Sequence, residues 1–139
     1  MLIAIDHGNY AIKTPHFSFV SGAGRLSTGS PSRLNTLPGL SEHTVKPPLA
    51  DEVLEFGGSY WTLSGKRLPY MRDKTKDERF FILSLFAIAR EIEMLGTQTA
   101  FEQIDLAVGL PPEHYGMLRE KFAQYFEAAP LILCIKSAL

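Results

Sequence analysis

The sequence predicts an α/β domain built on a mixed sheet, and three observations carry that expectation. The chain opens with the short apolar run Ile3-Ala4-Ile5, breaks at the turn residues Gly8-Asn9 and resumes at Ala11-Ile12, the pattern of a strand, a tight turn and a second strand. Further on, Phe81, Leu85, Ile88, Ile92 and Leu95 recur at helical spacing, with Phe80, Ile82, Phe86 and Ala89 widening the apolar face. Later still, Leu106-Ala107-Val108 reads as a buried parallel-type strand, closed by Gly109-Leu110-Pro111 and followed by a helical pattern.

The opening hairpin draws the most attention chemically. If Gly8-Asn9 forms a two-residue type II′ loop, His7 faces Tyr10, Asp6 faces Ala11, Ile5 faces Ile12 and Ala4 faces Lys13. Alternation then puts Ile3, Ile5 and Ile12 on one face and Ala4, Asp6, Ala11 and Lys13 on the other. Asp6 and Lys13 become diagonal neighbours, roughly 7–8 Å apart at the backbone. A carboxylate and an ammonium beside a glycine turn, with alanines around them, suit a nucleotide polyphosphate. Gly8 allows close backbone approach, turn N–H groups can donate to phosphate oxygens and Lys13 offsets their charge. Asp6 would repel phosphate unless a cation lay between, most simply Mg²⁺ held through its waters. The plainer reading is a surface hairpin carrying an ion pair worth about 0–1 kcal/mol.

Pro15 cannot donate to a sheet ladder and marks a strand end, after which Phe17 to Val20 forms a third strand. Residues from about Ala23 to Asp51, punctuated by Pro31, Pro38, Pro47 and Pro48, read as loop. Residues Val53 to Gly65 read as a hairpin turning at Gly57-Gly58, with Tyr60 and Trp61 as strand packing. Thr75-x-x-Glu78 has the capping-box pattern at the start of a buried helix of about twenty residues that stops at Gly96. Lys74, just before that helix, reads as a solvated residue of the helix start, with a nucleotide or a neighbouring subunit as the alternative contact. Leu118, Phe122, Tyr125 and Phe126 mark an amphipathic helix opened by Pro112, and His114 reads as a surface histidine of its first turn. Leu131 to Ile135 suits one more strand.

Composition bounds the function classes. The 139 residues suffice for one domain burying about two-thirds of its unfolded surface. A net charge of −1 gives no sequence-independent attraction to DNA or to an anionic membrane. The single cysteine, Cys134, excludes an internal disulfide framework and fits a reducing compartment. Asp6 and His7 interrupt the first apolar run too early for a signal peptide, and no apolar stretch approaches the ~18 residues of a membrane span. The four histidines lie far apart and form no metal-ligand cluster.

Four stretches, in this order, resemble one family. Asp6-x-Gly8-Asn9-x-x-x-Lys13 looks like the first phosphate loop of the actin superfamily, and most like bacterial actin-like proteins of the ParM/StbA plasmid-segregation type. The hairpin at 53–65, the Asp73-Lys74-Thr75 helix start and the stretch Val108-Gly109-Leu110-Pro111-Pro112-Glu113-His114-Tyr115-Gly116 with its following helix are similar to the same family over about residues 2 to 126.

The resemblance implies an actin-like (ribonuclease H-like) ATPase lobe. Its sheet would open with an antiparallel three-stranded meander, helices would pack on it, and a small inserted α+β subdomain would span roughly 23–72. It implies that residues 1–139 are the N-terminal lobe, without the second phosphate loop and the adenosine loop, and inactive in hydrolysis alone. Asp6, His7, Gly8, Asn9 and Lys13 would bind ATP or GTP, with Asp6 holding Mg²⁺ through water. Full-length members assemble into filaments and move plasmid DNA through an adaptor protein in the cytoplasm, so neither direct nucleic-acid contact nor a membrane is expected. Two other readings stay open. One is a non-enzymatic module that binds filaments of a full-length homologue; the other is a lobe of a sugar-kinase-like or DnaK-like chaperone ATPase.

Overall fold

Strand β1 (Leu2–His7) alternates strictly, with Ile3, Ile5 and His7 buried and Leu2, Ala4 and Asp6 exposed. The structure, a computed structural model, describes residues 1–26, 52–95 and 103–127 in full and the backbone of 134–137. β1 pairs antiparallel with β2 (Ala11–Lys13), which pairs antiparallel with β3 (Ser18–Val20). On its other side β1 pairs parallel with β7 (Asp105–Gly109), giving a mixed sheet of order β3-β2-β1-β7. The three-stranded meander and its added parallel strand follow the sequence reading.

The hairpin register does not. Asp6 pairs with Lys13 and His7 with Ile12, so four residues, Gly8 to Ala11, form the connection in place of two. Gly8 does not take the positive φ of a type II′ turn; among the described residues only Gly57 and Gly58 do. Glycine is needed at position 8 for a different reason. A Cβ there would lie 2.6 Å from the Ala11 carbonyl oxygen, because the loop folds back on itself. Ser21 fixes that fold-back: its N–H donates to Tyr10 O at 3.0 Å and its hydroxyl to Gly8 O at 2.8 Å. The pairing moves by two positions, so every strand residue keeps its face. Ala11, expected beside Asp6, is buried instead.

A second, antiparallel sheet has the order β4-β6-β5-β8. β5 (Glu52–Phe56) and β6 (Ser59–Leu63) meet at Gly57 and Gly58, whose φ values of 59° and 73° are the left-handed pair a tight hairpin turn demands. β4 (Ala23–Arg25) pairs with β6 and corrects the reading of position 23 onward as loop. Ala-Gly carries little strand propensity, and the partner strand imposes the conformation. Residues 27–51 of that expected loop lie outside the described residues, as do Gly96 and Leu131 to Leu133. The expected terminal strand is found as β8 (Cys134–Ser137), paired with β5.

Helix α1 (Glu78–Leu95, 18 residues) lies between the sheets, packing on β1, β2 and β4. Every residue from Phe80 to Ala89 is buried, the mark of a helix covered all round. Its side chains join Ile3, Ile5, Ile12 and Phe19 of the first sheet and Leu54, Trp61 and Leu63 of the second in one continuous core. The expected capping box is not formed. Asp77 caps α1, accepting from Arg79 N–H at 2.9 Å. Thr75 belongs to a preceding 3-10 turn (Lys74–Lys76), where its hydroxyl and N–H both donate to Asp73. α2 (Pro112–Glu127) closes the aromatic end of the core with Phe122 and Phe126. The Tyr125 hydroxyl of that helix accepts from Phe81 N–H at 2.9 Å and donates to Asp77 O at 2.7 Å, tying α2 to the first turn of α1.

β7 departs from the fully buried strand expected of it. Its residues alternate between exposed and partly exposed, because it is the edge of the sheet and one face of the β1–β7 pair is bare. No helix among the described residues is long and apolar enough to cross a membrane.

Candidate functional site

The bare face is the feature that positions a site. Parallel strands β1 and β7 run their C-terminal ends to the same edge, where Asp6 pairs with Gly109. Parallel pairs normally have both faces covered. Here the face away from α1 carries Leu2, Ala4, Asp6, Ala107 and Gly109, all exposed. Ligands of α/β sheets bind beyond the carboxyl ends of such strands. A groove of about 470 Å³ lies there, lined by Ala4, Asp6, Lys13, Thr14, Ala107 and Gly109 among others. Small residues give it its width: a side chain on Gly109 would begin 3.9 Å from Asp6 Oδ1.

Asp6 and Lys13 are direct cross-strand partners in this groove, closer than the diagonal placement read from the sequence. Neither forms an ion pair among the described residues. Both charges therefore face solvent with their bonding capacity open. Gly8 and Asn9 follow at the strand end. The Gly8 carbonyl is taken by Ser21, and Asn9 Oδ1 accepts from Met71 N–H at 3.5 Å, so the Asn9 side chain braces the loop against the segment before α1.

His7 is brought to the other face. It is 1% exposed, with its ring edge-on to Phe122 at 5.6 Å and tilted against Phe126 at 5.4 Å. The Ser84 hydroxyl donates to Phe80 O at 2.8 Å, so the 2.5 Å contact between His7 Nε2 and Ser84 Oγ has the histidine as donor. Nδ1 is then the lone-pair nitrogen and has no partner among the described residues. Burial, seconded by the charge of Lys74, pushes the imidazole pKa down to about 3, and His7 is neutral. Its side chain cannot reach a ligand in the groove, which corrects its place in the expected set; only its backbone lies beside the loop.

Lys74, expected in solvent, is buried instead, 3% exposed. Its Nζ lies 5.7 Å from the Phe80 ring centroid. Burial lowers its pKa, and the charge of Asp6 opposes that shift. Its position immediately before an apolar helix was the available signal, but charged residues there are usually solvated. His114, expected at the surface, is 8% exposed within α2. Trp61 is core, as expected, with the Arg25 guanidinium 5.0 Å above its ring.

No group of three or more His, Cys, Asp or Glu side chains able to hold a metal occurs among the described residues. The single carboxylate of Asp6 would suit a different arrangement, a hydrated Mg²⁺ held through its waters. Lys13 across the ladder and the tight Gly8 loop fit the phosphates themselves.

No family model matches the chain, and no curated protein matches it. Among solved structures, the crystal structure of apo pSK41 ParM protein is similar over 89% of this chain and 41% of that one, with a TM-score of 0.62 and 16% sequence identity. At that identity the likeness shows the fold alone: the mixed α/β arrangement of part of that ParM protein. The chain spans about 41% of the length of that structure.

Proposed function

We propose that the chain is the phosphate-binding lobe of an actin-like, filament-forming ATPase of the ParM/StbA plasmid-segregation type. The observation that carries this reading is the direct opposition of Asp6 and Lys13 in a bare groove at the C-terminal ends of β1 and β7. The fold shared with ParM supports it. In this reading residues 1–139 form the first lobe, with roughly 23–72 as its inserted small subdomain. Nucleotide-dependent self-association, an adaptor that links filaments to plasmid DNA, and a cytoplasmic setting come with the same reading. The net charge of −1 agrees with an indirect DNA contact.

The residues divide the work by charge. Lys13 neutralises phosphate oxygens of ATP or GTP. Gly8 keeps the loop tight enough for its backbone to approach them. Asp6 would hold hydrated Mg²⁺ through its water shell, and the ion would offset the charge of the phosphates. The groove is open to solvent, with Asp6, Lys13, Ala107 and Gly109 all exposed, so it neither excludes water nor aligns an attacking one. The 139-residue chain therefore binds Mg²⁺–ATP weakly and turns it over negligibly. Titration with a fluorescent ATP analogue tests this. Binding should require Mg²⁺ and fall at least about tenfold in Asp6→Ala and Lys13→Ala, the loss of a charge-assisted contact. Binding indifferent to both substitutions would remove the groove reading. Mg²⁺-dependent turnover that Asp6→Ala abolishes would remove the inactivity.

A further inference from the structure

Among the described residues, the core holds one ammonium group without a counterpart. Glu91, the other buried ion, is fully engaged, accepting from His16 N–H at 3.3 Å and from His16 Nδ1 at 2.7 Å. Lys74 makes no hydrogen bond or ion pair through its side chain among the described residues, although it is 3% exposed. Buried charges without partners are expensive, so proteins keep them where a partner arrives later or a chemistry requires them.

The backbone around Lys74 is held firmly. Asp73 accepts from Thr75 and from Lys121 of α2, and Asp77 caps the helix that follows. The side chain passes the Phe80 ring and ends within Coulombic reach of both His7 and Asp6, the last two residues of β1. The neighbouring imidazole is neutral and offers no counter-charge. Asp6 thus has one ammonium group opposite it in the groove, Lys13, and a second, Lys74, within Coulombic reach from the buried side. Asp6 stands too far for a direct ion pair with Lys74.

We propose that Lys74 is a second phosphate-contacting cation, reaching an oxygen of the bound polyphosphate around the end of β1 from the α1 side while Lys13 meets it from the solvent side. This rests on the groove being a nucleotide site. It also sets a trade-off: the lysine strains the unliganded core and is satisfied by phosphate. Lys74→Met should therefore raise the melting temperature of the free protein and weaken both Mg²⁺–ATP and inorganic tripolyphosphate at least about tenfold. Lys74→Arg should keep part of the affinity.

Calorimetric titration of the 139-residue chain with each ligand, beside thermal melts, separates the outcomes. Wild-type binding that Lys13→Ala weakens but Lys74→Met leaves unchanged, with a lowered melting temperature, overturns the role of Lys74 alone and makes it a structural lysine. Failure of the wild type to bind either ligand overturns the groove reading and this inference together. A variant-free measurement guards against misfolding: the Lys74 Cε–Hε NMR resonance should move on adding tripolyphosphate, and an unmoved resonance at saturation overturns the contact.

Discussion

Asp6 stands directly opposite Lys13 across the β1–β2 ladder, and both side chains open into the groove beside Gly109. Since neither forms an ion pair among the described residues, neither contributes much to stability there, and both should be separable from the fold. Asp6→Asn should leave unfolding free energy within about 0.5 kcal/mol of the wild type. It should abolish the Mg²⁺ dependence of nucleotide binding, because an amide holds hydrated Mg²⁺ poorly. Urea melts and Mg²⁺ titrations at fixed nucleotide check both halves, and a large loss of stability would contradict the placement of Asp6 outside the core.

His7 and Ser84 join β1 to α1 inside the core. Ser84→Ala removes the acceptor of the His7 Nε2 proton and leaves that donor buried. The expected cost is about 1–3 kcal/mol in urea unfolding. A second substitution, His7→Phe, should relieve much of it, since an apolar ring leaves no donor unpaired.

The Tyr125 hydroxyl closes two backbone groups at the start of α1. Tyr125→Phe keeps the ring packing against Phe81 and removes both bonds. A loss of about 1–2 kcal/mol is expected. Hydrogen exchange should rise at Phe81 N–H and in α2, while the β5–β6 hairpin stays as protected as before.

Glu91, with Asp73 and Asp77, makes the fold sensitive to acid. Burial alone would raise its pKa, but the bonds from Thr14 and from His16 outweigh burial and hold it below the ordinary carboxylate value of 4.5. The unfolded chain therefore binds the proton first as pH falls. Stability from Glu91 is full above about pH 5 and is lost as pH drops through 4.5 and into the lowered native range. Glu91→Gln should be less stable at neutral pH and show a shallower decline below pH 5, measured by urea midpoints between pH 3 and 7.

Much of the fold is legible in the order of residues because burial has a period. Alternation in Ile3-Ala4-Ile5-Asp6 fixes which β1 residues enter the core, and the helical spacing from Phe81 to Leu95 fixes α1. Gly57-Gly58 names its turn, since two consecutive positive φ values suit glycine. The groove pair Asp6 and Lys13 was legible for the same reason: both fall on the outward face of their strands, opposite Ile5 and Ile12. What could not be read there were features set by distant partners. The four-residue β1–β2 connection is held by Ser21, and β4 owes its conformation to β6. Asp77 became the helix cap because Asp73 had captured Thr75.

The sequence by itself determined the α/β class, the meander, the central helix and the polar pair at the strand end, because each follows from local periodicity and turn chemistry. Only the tertiary structure decided which face each neighbour of that pair would serve. His7 turns inward because alternation carries it under α2, into contact with Ser84, Phe122 and Phe126. Lys74 is drawn from solvent where the turn before α1 packs into the core, leaving its ammonium within Coulombic reach of Asp6. Burial is a property of what packs around a residue, and for these two side chains the packing comes from elements 70 or more positions away along the chain for His7 and from the β1 end for Lys74.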